Sequence, residues 1–265
     1  MKLPLIPTIL LLSFLLQVVF CRQVFANTQD CQQVDHPKIV RVGSGNFLAP
    51  FHYLVKGKPA GLDIEIVKLI LKDAGFCFKY VHTPSSARSM LEIEQGRIDM
   101  LFSASYTEKR ARFSNFSIPY RHETIALFWQ PKQGNNNENT PNLNAMLAHG
   151  LTGVVNLGGY YGAEVETLLQ NKEVKIHQVN SINRRMKMLL THRVDFVIED
   201  EISGKYYLKK NHINSVLIHP YKIHQNEVGL MFSKKTFTLK ELSLINKAIA
   251  NNKDKIQQIV SRYTN

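Results

Sequence analysis

Between residues 38 and 102 the chain keeps changing its hydrophobic period. Lys38–Val42 alternates polar and β-branched residues at period two, as a strand does. Gly61–Ala74 places apolar residues at 62, 66, 69, 70 and 74, the stripe of one helix face, and Gly75 follows where a helix end favours glycine. Cys77–His82 reads as a strand, Ser85–Gln95 as a helix stopped by Gly96, and Ile98–Phe102 as an apolar strand. This alternation predicts an α/β fold, with a parallel sheet covered by helices.

Segment 131–142 (PKQGNNNENTPN) reads as a surface loop or hairpin shortly after a chain crossing. The alternation then restarts, with strands at 151–155, 174–179, 194–198 and 215–219 and helices at 161–170, 183–190 and 202–209. A last apolar strand at 228–232 and a helix or helix pair over 239–263 close the chain. The pattern predicts two similar α/β units, the second inserted into the first. Lobe 1 is 27–125 plus 227–265, and lobe 2 is 126–226.

The N-terminus bears on compartment. Lys2 precedes an almost wholly apolar run from Leu3 to Phe20, and Val24 and Ala26 stand at the −3 and −1 positions of a signal-peptidase site. This predicts a signal peptide, 1–26, cleaved after Ala26, and a periplasmic protein. An uncleaved anchor is the alternative, since the run nears the ~20 residues that span a bilayer. A lipoprotein signal on Cys21 fits less well, because Phe20 stands where a small residue is needed. Cleavage leaves Cys31 and Cys77, and an even pair in an exported protein predicts a disulfide.

The formal charge is +12 over 265 residues. Removing the leader takes away Lys2 and Arg22 and no acid, leaving +10. The basic groups (Lys109–Arg112, Arg184–Lys187, Lys209-Lys210, Lys234-Lys235) are short and far apart. They read as solvated faces, so no nucleic-acid partner is expected. Two cysteines and ten histidines without ligand spacing predict no metal site, and no cofactor motif is present.

The segment Ser103-Ala104-Ser105-Tyr106-Thr107-Glu108-Lys109-Arg110, followed by Phe116-Ser117-Ile118-Pro119-Tyr120, carries the chemistry. It starts at the C-terminal end of an apolar strand, the edge where open α/β sheets bind ligands. Ser103 and Ser105, two apart, point the same way in an extended chain. Thr107 suits the N-cap of a short helix. Arg110 in its first turn opposes the helix dipole unless an anion compensates, and a guanidinium beside hydroxyls suits a carboxylate.

These motifs, with Ala49-Pro50-Phe51-His52-Tyr53, Gly61-Leu62-Asp63 and Gly96-Arg97-Ile98-Asp99, stand in the order found in one family. Over residues 38–262 the chain resembles the family 3 extracellular solute-binding proteins, which include the polar amino-acid receptors of ABC importers. The resemblance implies a two-lobe, type II-like periplasmic-binding-protein fold, each lobe a mainly parallel sheet flanked by helices, with a ligand cleft between them. It implies a monomer that captures a small amino-acid-like carboxylate, closes about crossings near Thr124–Phe128 and Asn226–Gly229, and delivers the ligand to a membrane permease. By the same resemblance Arg110 grips the α-carboxylate with Ser103 and Ser105 beside it, Asp200 accepts the α-ammonium, and the Gly158–Gly162 loop, with Gly159 and Tyr160, reaches the carboxylate from lobe 2. Phe51 and Phe47 line the side-chain pocket.

The chain departs from the family at two places. Gly45 stands where many amino-acid receptors carry an aspartate, and Leu48, beside Phe47, where they often place an aromatic lid. A sensor without a transporter is the alternative role. A dehydratase-like enzyme is another, with Glu199 and His122 as its candidate acids. No paired base or metal accompanies them, so a non-enzymatic binder is expected.

Overall fold

The computed structural model describes residues 38–44, 47–131 and 142–264. The first part contains β1 (Ile39–Ser44), the hairpin β2 (Tyr53–Val55) and β3 (Lys58–Ala60), α1 (Leu62–Asp73), β4 (Cys77–His82) and α2 (Ser86–Glu94). Then come β5 (Met100–Ser105), α3 (Glu108–Ala111), β6 (Ser114–Phe116) and the crossing strand β7 (Arg121–Trp129). The second part runs α4 (Leu143–Ala148), β8 (Gly153–Val155), α5 (Ala163–Gln170), β9 (Ile176–Gln178), α6 (Ile182–Leu190), β10 (Phe196–Asp200) and α7 (Glu201–Lys210). The long strand β11 (Leu217–Ser233) returns to the first part, which α8 (Leu239–Asn251) and α9 (Lys253–Thr264) complete.

Among the described residues one sheet runs β4-β1-β5-β11-β7-β10-β8-β9, with β6 on β11. Its two outer parts, β4-β1-β5 and β10-β8-β9, are parallel, as the alternation predicts. Its middle is not. β11 is antiparallel to both β5 and β7, and β7 is antiparallel to β10, so the sheet is mixed.

The strands predicted at 215–219 and 228–232 are two ends of β11. Its polar middle hides the continuity: the KIHQNE segment has no apolar period, yet Lys222, Gln225 and Asn226 stay paired with Ala126, Thr124 and Glu123 of β7. The two predicted crossings are therefore one antiparallel ribbon joining the halves of the sheet.

Each half has its own core. In the first, Val40 and Val42 of β1 pack against Leu62, Ile66 and Ile70 of α1 and against Leu242, Ile245 and Ile249 of α8. In the second, β7 and β10 are covered on one face by Leu143, Met146 and Val165 and on the other by Met186, Leu189 and Val194. Each such side chain, once buried, contributes roughly 1.5–3 kcal/mol. Gly61 links this packing to the cleft. It has φ 122°, and a Cβ there would lie 2.5 Å from the Phe51 carbonyl oxygen. Only glycine lets α1 start against the Pro50–Phe51 turn.

Candidate functional site

The strand ends of both halves face one cavity of about 170 Å³. A single water occupies ~10–15 Å³ by such a measure, so the space suits a small molecule.

Its floor is a buried polar knot. Asp63, the second residue of α1, accepts hydrogen bonds from Ser103 Oγ (2.5 Å), Tyr120 Oη (2.8 Å) and Arg121 Nε (3.0 Å). Arg121 Nη2 donates to both Asp63 and Ser103 Oγ, and the guanidinium lies 4.4 Å from the centre of the Phe51 ring. Burial opposes the charge on Arg121, but the Asp63 carboxylate outweighs it and raises the guanidinium pKa. Ser103 has φ 53°, a break in the regular alternation inside β5 opposite the register shift in β11. The two serine hydroxyls therefore take different partners: Ser103 turns to Asp63, while Ser105 Oγ faces Glu123 Oε2 at 3.4 Å.

Above the floor, Thr107 caps α3 by accepting from the Arg110 N–H (3.2 Å), as its position predicts. The Arg110 side chain folds back and donates from Nη1 to the Ser105 carbonyl (2.9 Å). Its guanidinium carbon lies 5.8 Å from the Tyr160 ring centre. Among the described residues Arg110 has no ion-pair partner, and burial lowers its pKa.

Asp200 enters from the opposite half. Its Oδ1 caps α7, accepting from the N–H groups of Ile202 (2.8 Å) and Ser203 (3.0 Å). Its Oδ2 is buried without a partner among the described residues. Burial pushes its pKa up to about 7, against the pull of Arg121 and with help from Glu123.

The remaining wall is aromatic. Phe47 stacks on His82 (5.6 Å) and His52 meets Phe102 edge-on (5.3 Å). All eight residues singled out as ligand contacts (Phe47, Phe51, Ser103, Ser105, Arg110, Gly159, Tyr160 and Asp200) line this one cavity. Phe51 also belongs to the core, 2% exposed. Gly45 and Cys31 lie outside the described residues, and Leu48 lines the cavity.

Three charged lining residues carry no site role in the sequence reading: Arg121, Glu123 and Arg185. Arg185 corrects an expectation. Its basic run reads as a solvated face, yet Arg185 is 1% exposed and ion-paired with Glu199. Met186 and Leu189 on the same helix go into the core and carry Arg185 inward with them. Its Nη1 also donates to Asn156 Oδ1 (3.2 Å) and the Val179 carbonyl (2.7 Å). Glu199 is thus engaged, and His122 is exposed, 3.8 Å from Glu227, outside the cavity. The two candidate acids do not meet.

The halves touch across the cavity mouth. Asn156 Nδ2 donates to Ser86 Oγ (3.2 Å), Ser203 Oγ donates to the Ala49 carbonyl (3.1 Å), and Gly158 packs on Ala87. Among the described residues no group of three or more His, Cys, Asp or Glu is arranged to hold a metal. No helix among them is long and apolar enough to cross a membrane.

Several solved structures share this architecture. The arginine-, lysine-, histidine-binding protein ArtJ from the thermophilic bacterium Geobacillus stearothermophilus superposes with a TM-score of 0.70 at 23% identity, over 85% of this chain and 95% of that one. An ancestral arginine-binding protein bound to arginine gives 0.73 at 25% identity, over 87% and 100%. A histidine kinase sensor domain with similarity to periplasmic binding proteins gives 0.73 at 17% identity, over 86% and 96%. No curated protein matches the chain. The strand-end cleft, the motifs that build it and the two-lobe neighbours agree with the match of residues 40–265 to one family model, and the chain belongs to the bacterial extracellular solute-binding proteins, family 3.

Proposed function

We propose that this protein captures a small α-amino acid in the cleft and does not transform it. One observation carries the reading. Among the described residues a guanidinium without an ion-pair partner, Arg110, and a carboxylate oxygen without a hydrogen-bond partner, Asp200 Oδ2, face the same cavity from opposite halves. A carboxylate on Arg110 and an ammonium on Asp200 complete both, since each buried charge gains most from a charge-assisted partner. The ligand then ties residues 27–125 plus 227–265 to residues 126–226, and the β7–β11 ribbon serves as the hinge. ArtJ and the ancestral protein, which bind amino acids by their descriptions, support this class of ligand.

The rest of the reading follows from export. The leader is removed after Ala26, the protein works in the periplasm as a monomer, and the closed form is handed to a membrane permease. Cys77 is buried and disulfide-bonded, which supports Cys31 as its partner.

A thermal-shift screen of the exported protein against the L-amino acids, small di-acids and short peptides tests the proposal. A micromolar binder at millimolar concentration adds roughly 4 kcal/mol and moves the midpoint by several degrees. No shift with any α-amino acid contradicts it.

A further inference from the structure

The cleft holds more negative charge than an amino-acid grip requires. Asp63 is matched by Arg121 and Glu199 by Arg185. What remains is one guanidinium, Arg110, against two carboxylates, Asp200 and Glu123. Glu123 makes no ion pair among the described residues, and the one hydrogen bond of its side chain there is the long contact from Ser105 Oγ (3.4 Å).

Register brings the two carboxylates together. Ile125 of β7 pairs with Asp200 of β10, so their side chains leave the same face of the sheet. Glu123 is two residues before Ile125 and leaves that face too. Both line the cavity. Burial pushes Glu123 up as it does Asp200, Arg121 pulls it down, and the Asp63 and Glu199 charges push it up again. Arg110 feels the charge of Glu166 and, next, that of Glu123.

We propose that Glu123 is a specificity-determining residue that, with Asp200, clamps the primary ammonium of the ligand between two carboxylates. This rests on the amino-acid reading above and deepens it. A primary ammonium carries three N–H donors and can serve both carboxylates at once. A deaminated acid with the same side chain leaves the buried Asp200 and the half-buried Glu123 without a cation, and the site rejects it. In the empty cleft burial keeps a proton on Asp200, and the nearby Glu123 charge helps to hold it, so the ammonium displaces that proton on binding.

The test is calorimetric titration of the full exported protein and of Glu123→Gln at pH 6, in two buffers of different ionisation enthalpy. The probes are L-glutamate against 2-oxoglutarate, L-alanine against pyruvate and L-phenylalanine against phenylpyruvate, together with L-arginine and L-glutamine. The wild type is expected to bind at least one of these amino acids, to prefer an amino acid over its keto acid, and to release close to one proton. E123Q is expected to bind the same amino acid at least tenfold more weakly, to discriminate less, and to release fewer protons, with its unfolding temperature unchanged. Unchanged affinity and proton release in E123Q overturn the role of Glu123 while leaving the amino-acid reading intact. Failure of the wild type to bind any amino-acid probe overturns both. An E123Q protein that does not fold also contradicts the proposal, because the amide relieves a buried charge that this role does not need for folding.

Discussion

Arg121 and Asp63 form an ion pair closed to solvent, with Nε 3.0 Å from Oδ1 and Nη2 3.2 Å from Oδ2, directly beneath the cleft. The pair joins the start of α1 to the start of β7, and Ser103 and Tyr120 complete it. Asp63→Asn keeps the shape and removes the charge, leaving a buried guanidinium uncompensated. That should cost about 3–5 kcal/mol in urea unfolding. A loss below about 1 kcal/mol contradicts the structural role given to this pair.

Asp200 links the empty protein to pH. Its folded pKa of about 7 lies above the ordinary 3.8 because of burial. Between those values the native state holds a proton that the unfolded chain gives up, so this group's contribution to stability falls as pH rises from about 4 to about 7. Asp200→Asn removes that dependence. Unfolding curves of both proteins at several pH values should show wild type losing stability relative to D200N over that window and no further change above pH 8. A constant difference contradicts the assignment.

Gly158 limits closure. It has φ 80°, and a Cβ there would lie 2.7 Å from the Ala87 nitrogen across the mouth. Gly158→Ala should hold the two sides apart and weaken ligand binding roughly tenfold or more, beyond a ~1–3 kcal/mol backbone strain. Small-angle scattering at saturating ligand should give a larger radius of gyration than wild type. Equal radii and equal affinity would mean that the contact is incidental.

The Cys31–Cys77 proposal is a matter of mass. Non-reduced peptide mapping should return the linked pair, and reduction should cost roughly 3–4 kcal/mol for a loop of about 46 residues. Two free thiols contradict it.

Much of the site was readable before any coordinates. Ser105, Thr107 and Arg110 sit in one contiguous motif, and a cap three residues before a cation at a strand end is a local statement that sequence carries. Asp200 was readable through resemblance, as the last residue of an apolar strand. Glu123 and Arg121 were not, because they stand in a short polar stretch, Arg121–Thr124, whose strand character comes from pairing with distant β11. Arg185 was hidden by its own neighbours, since a run of basic residues looks solvated unless a partner such as Glu199, fourteen positions away, is known to face it. The continuity of β11 was lost in the same way, as pairing with β7 replaces the missing period.

Capture of the ligand carboxylate depends most directly on Arg110. Calorimetric titration of wild type and Arg110→Ala with the best amino acid from the screen measures it. Loss of the charge-assisted grip on a buried carboxylate should cost roughly 2–4 kcal/mol, about a 30- to 900-fold rise in Kd. The unfolding midpoint without ligand should hold nearly constant, because the Arg110 side chain makes one hydrogen bond, to the Ser105 carbonyl, and no ion pair among the described residues. An R110A protein that binds the amino acid as tightly as wild type contradicts the central claim.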